Sequence, residues 1–239
     1  MTSRPKRIIL FDMDETLGCF IDINIIAKIL HKHIHINEVL QIFESTCFRP
    51  YFFEMMDLIV KLKDLGELDK VVLYTNNTGG YSWPSKIVKY IHSKVGHVFD
   101  EIIYGSYVNP PFNPDRRRKY VHKDIRDVRD ILQTDKNTLF LFFDDNIYEN
   151  MKDPYMTSIV LTPFRCKILF SDTMKAFRKH PLYTIFKRNL IEQNYESTFA
   201  GKYMNEDPDK HYFESIRMLQ TIISFVDLNP CSNDLPETK

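Results

Sequence analysis

The sequence is poor in the features that mark disordered, membrane-bound or secreted chains. Only 7 glycines and 12 prolines occur in 239 residues, which argues against long disordered tracts. No apolar run reaches the length of about 18 residues that a helix needs to span a bilayer, so we expect no membrane partner. Residues 1–7 are polar and lead directly into an apolar run, so we expect no signal peptide.

The chain has few cysteines and a formal net charge of zero. The 4 cysteines (Cys19, Cys47, Cys166 and Cys231) show no CxxC spacing, which favours reduced thiols over a disulfide set or a zinc site. We therefore expect a cytoplasmic or nuclear protein that is not secreted. The 32 basic residues balance 32 acidic ones, which argues against general nucleic-acid binding because such proteins usually carry a basic excess.

The apolar residues are numerous enough, and patterned clearly enough, to predict an α/β fold. They make up 44% of the chain, which can therefore bury a full core. Several apolar runs are continuous rather than alternating, as is typical of parallel strands buried on both faces. We predict strands at 8–11, 71–74, 99–104, 139–143 and 159–163. Helical spacing predicts two short helices within 20–46 and further helices at 49–65, 81–95, 124–132, 170–180, 181–192 and 211–226.

Two carboxylates, Asp12 and Asp14, follow the first apolar run. Ligands of open α/β sheets bind outside the carboxyl ends of the strands, so both acids lie where chemistry is expected. Asp12 could attack phosphorus, while Asp14 protonates the leaving group and later activates water. A Mg²⁺ ion between them would take oxygen ligands, and Thr16 could orient the turn by hydrogen bonding. The alternative is an acidic loop without a catalytic role.

Other polar groups that suit phosphoryl transfer follow later strands or precede a helix. The hydroxyl of Thr75, after the second strand, could bind a phosphoryl oxygen. Asp144, Asp145 and Asn146 follow the strand at 139–143 and supply hard oxygen ligands. Lys123 precedes a predicted helix, and its ammonium could neutralise phosphoryl charge.

This ordered set resembles the haloacid dehalogenase superfamily of phosphatases, over roughly residues 6–180. The acid two residues after the first one is the mark of the phosphatase branch of that superfamily. The matching residues are Asp12, Asp14 and Thr16 for the first motif (DxDxT), Thr75 for the second, Lys123 for the third, and Asp144 with Asp145 for the fourth.

Within the superfamily, the chain looks like the small phosphatases of the RNA polymerase II C-terminal domain, also called the NLI-interacting-factor-like family. The run Asp-Met-Asp-Glu-Thr-Leu after Phe11 resembles their first motif, and Arg49-Pro50 resembles the helix start before their second. Two stretches depart from the subfamily pattern. Thr75-Asn76-Asn77 stands where the subfamily often has Thr-Ala, and Asp144-Asp145-Asn146-Ile147 where it often has Asp-Asn-Ser-Pro.

The resemblance implies a Rossmann-like, doubly wound, mostly parallel sheet with small insertions and a helical C-terminal extension. The catalytic domain would span residues 1–192, with insertions near 20–48 and 105–120. Residues 193–239 would form a polar loop, a helix and a frayed tail. The implied activity is Mg²⁺-dependent hydrolysis of a phosphomonoester through an aspartyl-phosphate, on phosphoserine or phosphothreonine of a protein or peptide.

The same resemblance, read with the residues themselves, gives each candidate site residue a role. Asp12 is the nucleophile, Asp14 the general acid and base, and Thr75 and Lys123 hold the phosphoryl group. The expected Mg²⁺ ligands are Asp12, Asp14, Asp144, Asp145 and Asn146, and the expected substrate contacts are Thr16, Asn76, Arg116, Arg117 and Arg118.

Several alternatives stay open. The basic run at 116–119 could grip substrate phosphates, which keeps a nucleotide or nucleic-acid 3′-phosphatase in view, or it could be a solvated loop. A catalytically weak binding module could act through the C-terminal helix or the Pro-rich loop at 109–114. His31, His33 and His35 could bind a metal on a strand or lie in a turn, and Trp83 could anchor the core or contact substrate.

Overall fold

A five-stranded, all-parallel sheet forms the centre of the structure, a computed structural model that describes residues 4–77, 81–105, 115–193 and 208–227. The strand order is β3-β2-β1-β4-β5, which confirms the predicted doubly wound α/β fold. The strands are β1 Arg7–Phe11, β2 Lys70–Tyr74, β3 Glu101–Ile103, β4 Leu139–Asp144 and β5 Met156–Val160.

Helices cover both faces of this sheet. They are α1 Ile21–Leu30, α2 Ile36–Ile42, α3 Glu44–Cys47, α4 Phe52–Asp64, α5 Ser82–Val95, α6 Ile125–Leu132, α7 Phe170–Phe177, α8 Tyr183–Glu192 and α9 Pro208–Asp227, with a 3₁₀ turn at Glu149–Met151. In the part of the chain that the structure covers, none of these helices combines the length and the apolar character needed to cross a bilayer.

The two faces of β1 explain why its apolar run is continuous. Ile9 and Phe11 belong to the larger core cluster, while Ile8 and Leu10 belong to a smaller cluster with residues of α6. Because both faces are covered, the four strand positions from Ile8 to Phe11 are all apolar and buried. Stacking of the Phe11 and Phe143 rings, with centroids 5.2 Å apart, joins β1 to β4 on the larger side.

The strand order reverses at β1, and this reversal positions the site. Phe11 pairs with Leu73 of β2 on one side and with Phe143 of β4 on the other. The ends of β1, β2 and β4 therefore meet at one edge of the sheet. In open α/β sheets such a reversal leaves a crevice beyond the strand ends where ligands bind.

The helix α9 packs against the body of the protein. Met218 and Ile222 are fully buried in the larger core cluster, as the amphipathic spacing of the segment predicts. The Arg217 guanidinium also donates a hydrogen bond of 2.7 Å to the Val160 carbonyl at the end of β5. The structure thus favours a packing role for this helix over the alternative of a partner-binding helix.

Several predicted boundaries differ from the structure by a few residues. The last strand is Met156–Val160 instead of 159–163, because β5 is an edge strand with mostly exposed residues and thus lacks a continuous apolar run. The strand predicted at 99–104 is limited to Glu101–Ile103. The helix predicted at 49–65 begins at Phe52, since Tyr51 has a left-handed backbone with φ of 56°.

Two adjacent isoleucines of α9 test whether this helix is part of the fold. Ile222 is fully buried, whereas Ile223 is 46% exposed. We expect Ile222→Ala to lower the free energy of unfolding by about 2–5 kcal/mol because it leaves a cavity. Ile223→Ala should change it by about 0.5 kcal/mol or less. Urea titration of both variants measures the difference, and equal effects would contradict the packing role of α9.

Candidate active site

The ammonium group of Lys123 lies at the centre of the crevice. Its Nζ is 2.5 Å from Oδ1 of Asp12 and 2.5 Å from Oδ2 of Asp144, so it links the ends of β1 and β4. Burial by itself lowers the pKa of Lys123, but the charges of Asp12 and Asp144 outweigh burial and the pKa is raised. The lysine therefore stays charged in the folded protein.

Residues on both sides of Lys123 hold it in place. Asp124 is the N-cap of α6, and its carboxylate accepts a hydrogen bond from the Arg126 amide at 2.9 Å. The Asp124 amide donates to the Tyr74 hydroxyl at 2.8 Å, which attaches the start of α6 to the end of β2. The rings of Tyr74, Phe142 and Tyr148 surround the ammonium at 5.7, 5.5 and 5.4 Å.

Three carboxylates converge beside Lys123. One oxygen each of Asp12, Asp144 and Asp145 lies within 4.8 Å of the others. Burial raises the pKa of Asp144 to about 6, against the lowering effect of Lys123. Burial, followed by the charge of Asp12, also raises the pKa of Asp145. A divalent cation would offset this crowded negative charge, and three carboxylate oxygens are the donors that Mg²⁺ prefers.

No other group of three potential metal ligands comes together within the described ranges of the chain. His31, His33 and His35 lie in the exposed connection between α1 and α2, so the structure places them in a turn and not on a strand. Trp83 is only 9% exposed and belongs to the larger core cluster, which agrees with the interpretation of an anchor.

Asp14 has the environment of a general acid and base. Burial raises the pKa of its carboxyl group to about 7, the hydrogen bond from Asn77 opposes the shift, and the charge of Asp12 adds to it. The Asn77 side-chain amide donates to Oδ2 of Asp14 at 2.8 Å. A group with a pKa near 7 can both give and take a proton at neutral pH. No role was expected for Asn77, although it lies two residues after Thr75.

Thr75, Asn76 and Thr16 support the loops around the site. Thr75 is buried at the end of β2, and its Oγ1 accepts a hydrogen bond from the Asn77 amide at 3.0 Å. Asn76 donates to the Tyr148 hydroxyl at 3.3 Å. The Thr16 hydroxyl donates to Oδ1 of Asp145 at 3.4 Å, which helps to orient that carboxylate.

Asn146 contacts two members of the acidic cluster. Its backbone N–H donates to Oδ1 of Asp144 at 2.8 Å, and its side-chain amide donates to Oδ2 of Asp145 at 2.8 Å. Both contacts use donor groups, and they restrict the orientation of the two carboxylates. The structure thus brings Asn146 to the predicted metal site as a hydrogen-bond donor to its acids.

Arg49 holds the turn that follows Asp12. Its guanidinium is buried and donates to the carbonyls of Thr16 at 2.8 Å, Glu15 at 2.9 Å and Thr162 at 2.8 Å. Glu15 has a left-handed backbone, with φ of 62°, which a non-glycine residue adopts only when its surroundings fix it. The Arg49-Pro50 motif marked this arginine, but only the fold shows which carbonyls it binds.

Two of the three arginines that were expected to contact substrate are bound by other groups of the protein. Arg118 is buried and donates to Oδ1 of Asn76 at 2.9 Å and to the Tyr104 carbonyl at 3.2 Å. Arg117 forms ion pairs with Asp115 at 2.8 Å and with Glu101 at 3.0 Å. Arg116 is exposed. The guanidinium groups of Arg117 and Arg118 are thus engaged by the protein itself, because acids and carbonyls of neighbouring segments accept their hydrogen bonds.

Comparison with known proteins gives a similarity to a solved structure. No protein-family model matches the chain, and no curated protein matches it. Among solved structures, the chain is similar to that of Fcp1, an essential RNA polymerase II CTD phosphatase, with 16% sequence identity and a TM-score of 0.44. The similarity covers 92% of this chain and 62% of that one, so this chain spans less than two thirds of its length.

The acidic cluster predicts that Mg²⁺ stabilises the fold. A cation that binds only the folded state adds about 2.7 kcal/mol at a hundredfold excess over Kd. We expect the thermal midpoint to rise with Mg²⁺ in the parent protein and to respond much less in Asp145→Asn, which removes one ligand charge. Asp130→Asn is the matched control, because Asp130 pairs with Lys119 on the surface of α6. An unchanged midpoint in the parent at millimolar Mg²⁺ would contradict a metal site.

Proposed function

We propose that this protein is a Mg²⁺-dependent phosphomonoester hydrolase that works through an aspartyl-phosphate on Asp12. The observation that carries the proposal is the placement of Asp12 at the end of β1, 2.5 Å from the Lys123 ammonium and within 4.8 Å of Asp144 and Asp145. A nucleophilic carboxylate, a fixed positive charge and a set of cation ligands each serve phosphoryl transfer to a carboxylate. Asp14 supplies the fourth group, a proton donor and acceptor.

The first step transfers the phosphoryl group to the protein. An oxygen of Asp12 attacks phosphorus, and the bond from phosphorus to the substrate oxygen breaks. Protonated Asp14 gives its proton to the departing alkoxide, which leaves as an alcohol. A pKa of about 7 keeps a large fraction of Asp14 protonated at neutral pH, as this step requires.

The second step releases phosphate. Asp14, now a carboxylate, takes a proton from water, and the oxygen of that water attacks phosphorus. The bond between phosphorus and the Asp12 oxygen breaks, so inorganic phosphate leaves and both carboxyl groups return to their initial states. The hydrogen bond from Asn77 holds the Asp14 carboxylate for this second role.

Positive charge balances the phosphoryl group in both steps. Lys123 stays charged and fixed between Asp12 and Asp144, so it does not reorganise when negative charge moves onto the phosphoryl oxygens. Mg²⁺ held by Asp12, Asp144 and Asp145 would supply further charge neutralisation. Thr75 and Asn76, at the end of β2, are the proposed contacts of the phosphoryl oxygens.

For the substrate, we propose phosphoserine or phosphothreonine on a protein. The resemblance of the motifs to the C-terminal-domain phosphatases supports this choice, as does the small size of the α1–α3 insertion, which leaves room for a macromolecule. The nucleotide alternative depended on the basic run, in which Arg117 is paired with acids at the surface and Arg118 is buried. The binding-module alternative depended partly on α9, which is packed, and on the loop at 109–114, which lies outside the described residues.

Removal of the nucleophile tests the proposed chemistry. We expect the parent protein to hydrolyse an aryl phosphate in the presence of Mg²⁺ and to stop when a chelator is added. Asp12→Asn should reduce kcat to below about 1% of the parent, since an amide cannot form the acyl phosphate. Asp130→Asn serves as the control for the loss of a carboxylate elsewhere. Activity of Asp12→Asn close to that of the parent would exclude Asp12 as the nucleophile.

A further inference from the structure

A groove of about 560 Å³ opens beside the candidate active site, between α1, α2 and the start of α5. Its volume falls in the range of about 300–1,000 Å³ that is typical of ligand sites. Asn77 belongs to both places, since it lines the groove and donates to the Asp14 carboxylate. The groove therefore adjoins the site, so that a single ligand could fill the groove and place its phosphate at Asp12.

The lining of this groove is basic. It contains Lys28, Lys86, His31 and His35, and it contains no aspartate or glutamate among the described residues. Both lysines are exposed at the surface. The His35 Nδ1 accepts a hydrogen bond from the Asn37 amide at 3.2 Å, so a neutral His35 carries its proton on Nε2, as a donor. The groove thus favours an occupant with negative charge.

The groove also has an apolar part. Ile34, Ile36 and Trp83 line it and are 8%, 8% and 9% exposed, respectively. These side chains are fixed in the core cluster, so the surface that they offer is small and preformed. The ring of Trp83 exposes too little area to serve as a platform for a stacked base, as single-stranded nucleic acids need. A small apolar surface under a basic rim fits a peptide better.

We propose that this groove binds the part of a phosphoprotein substrate that flanks the phosphorylated residue. An apolar side chain of the peptide lies against Ile34, Ile36 and Trp83, and an acidic or phosphorylated side chain lies at Lys28 and Lys86. The inference deepens the proposed function and rests on it for the position of the phosphate at Asp12. It assigns the sequence preference of the site to α1, α2 and α5, and not to the basic run at 116–119.

The single tryptophan of the chain allows a binding test that does not depend on turnover. Trp83 is the only tryptophan in the sequence, so its fluorescence reports on the groove. The protein for the test is Asp12→Asn, which should bind without hydrolysis. The probes are a phosphoserine peptide with a leucine and two glutamates beside the phosphoserine, and a matched peptide in which glutamine replaces both glutamates.

We expect the acidic peptide to change the Trp83 emission in a saturable way. Lys28→Glu and Lys86→Glu should each weaken its binding by about fivefold or more, because each reversal replaces an attraction with a repulsion. The same reversals should leave the affinity for the glutamine peptide within about twofold. Lys89→Glu is the matched control, since Lys89 is exposed on α5, one turn after Lys86, and does not line the groove.

Two results would overturn the groove as the peptide site. One is equal weakening of the acidic peptide by Lys86→Glu and Lys89→Glu, and the other is preferential binding of a 3′-phosphorylated oligonucleotide that depends on the same lysines. Hydrolysis of aryl phosphate by the parent tests the proposed function separately. If it occurs without the lysine dependence, the function stands and the groove fails. If the lysine dependence occurs without hydrolysis, the groove stands and the function fails.

Discussion

The ion pairs of Lys123 with Asp12 and Asp144 are the interaction on which the rest of the site depends. A buried charge is costly unless it is paired, and Lys123 is fully surrounded by protein. Its ammonium joins the ends of β1 and β4 at the point where the strand order reverses. Without it, the acids of these two strand ends would face each other in a region of low dielectric constant. The position of Asp12, the proposed nucleophile, is therefore part of the charge balance of the core.

Two buried arginines extend this rigidity to the loops. Arg49 binds the carbonyls of Glu15 and Thr16, and Arg118 binds the side chain of Asn76. Both use the fork of the guanidinium group to hold main-chain or amide oxygens at fixed distances, which a lysine could not do. Residues far apart in the chain thus hold the turns that carry Asp14 and Thr75. In a site that stabilises charge, such fixed positions matter because the groups need not reorganise during the reaction.

The surroundings of the site indicate how a substrate would approach. The α1–α3 insertion is short, and it forms one wall of the basic groove that lies beside the crevice. Asn77 connects the two, since it contacts the proposed acid and base and lines the groove. The proposed catalytic site and the proposed peptide groove would then share the Asn77 side chain but would otherwise consist of different segments. Except for Lys123, the proposed catalytic groups follow β1, β2 and β4, whereas the groove belongs to helices that the strand pattern does not specify.

The sequence by itself determined the sheet, its buried strands and the residue types at the strand ends. Continuous apolar runs and helical spacing are local signals, and Asp12, Asp14, Thr75, Lys123, Asp144 and Asp145 could be found because each lies beside such a signal. Edge strand β5 was misplaced for the opposite reason, since its exposed residues give no apolar run. The partners of Arg49, Asn77 and Arg118 were decided only by the tertiary structure. The same holds for the groove, which exists only once the helices have packed. Those contacts join segments that are distant in sequence, and their geometry depends on how the helices pack on the sheet.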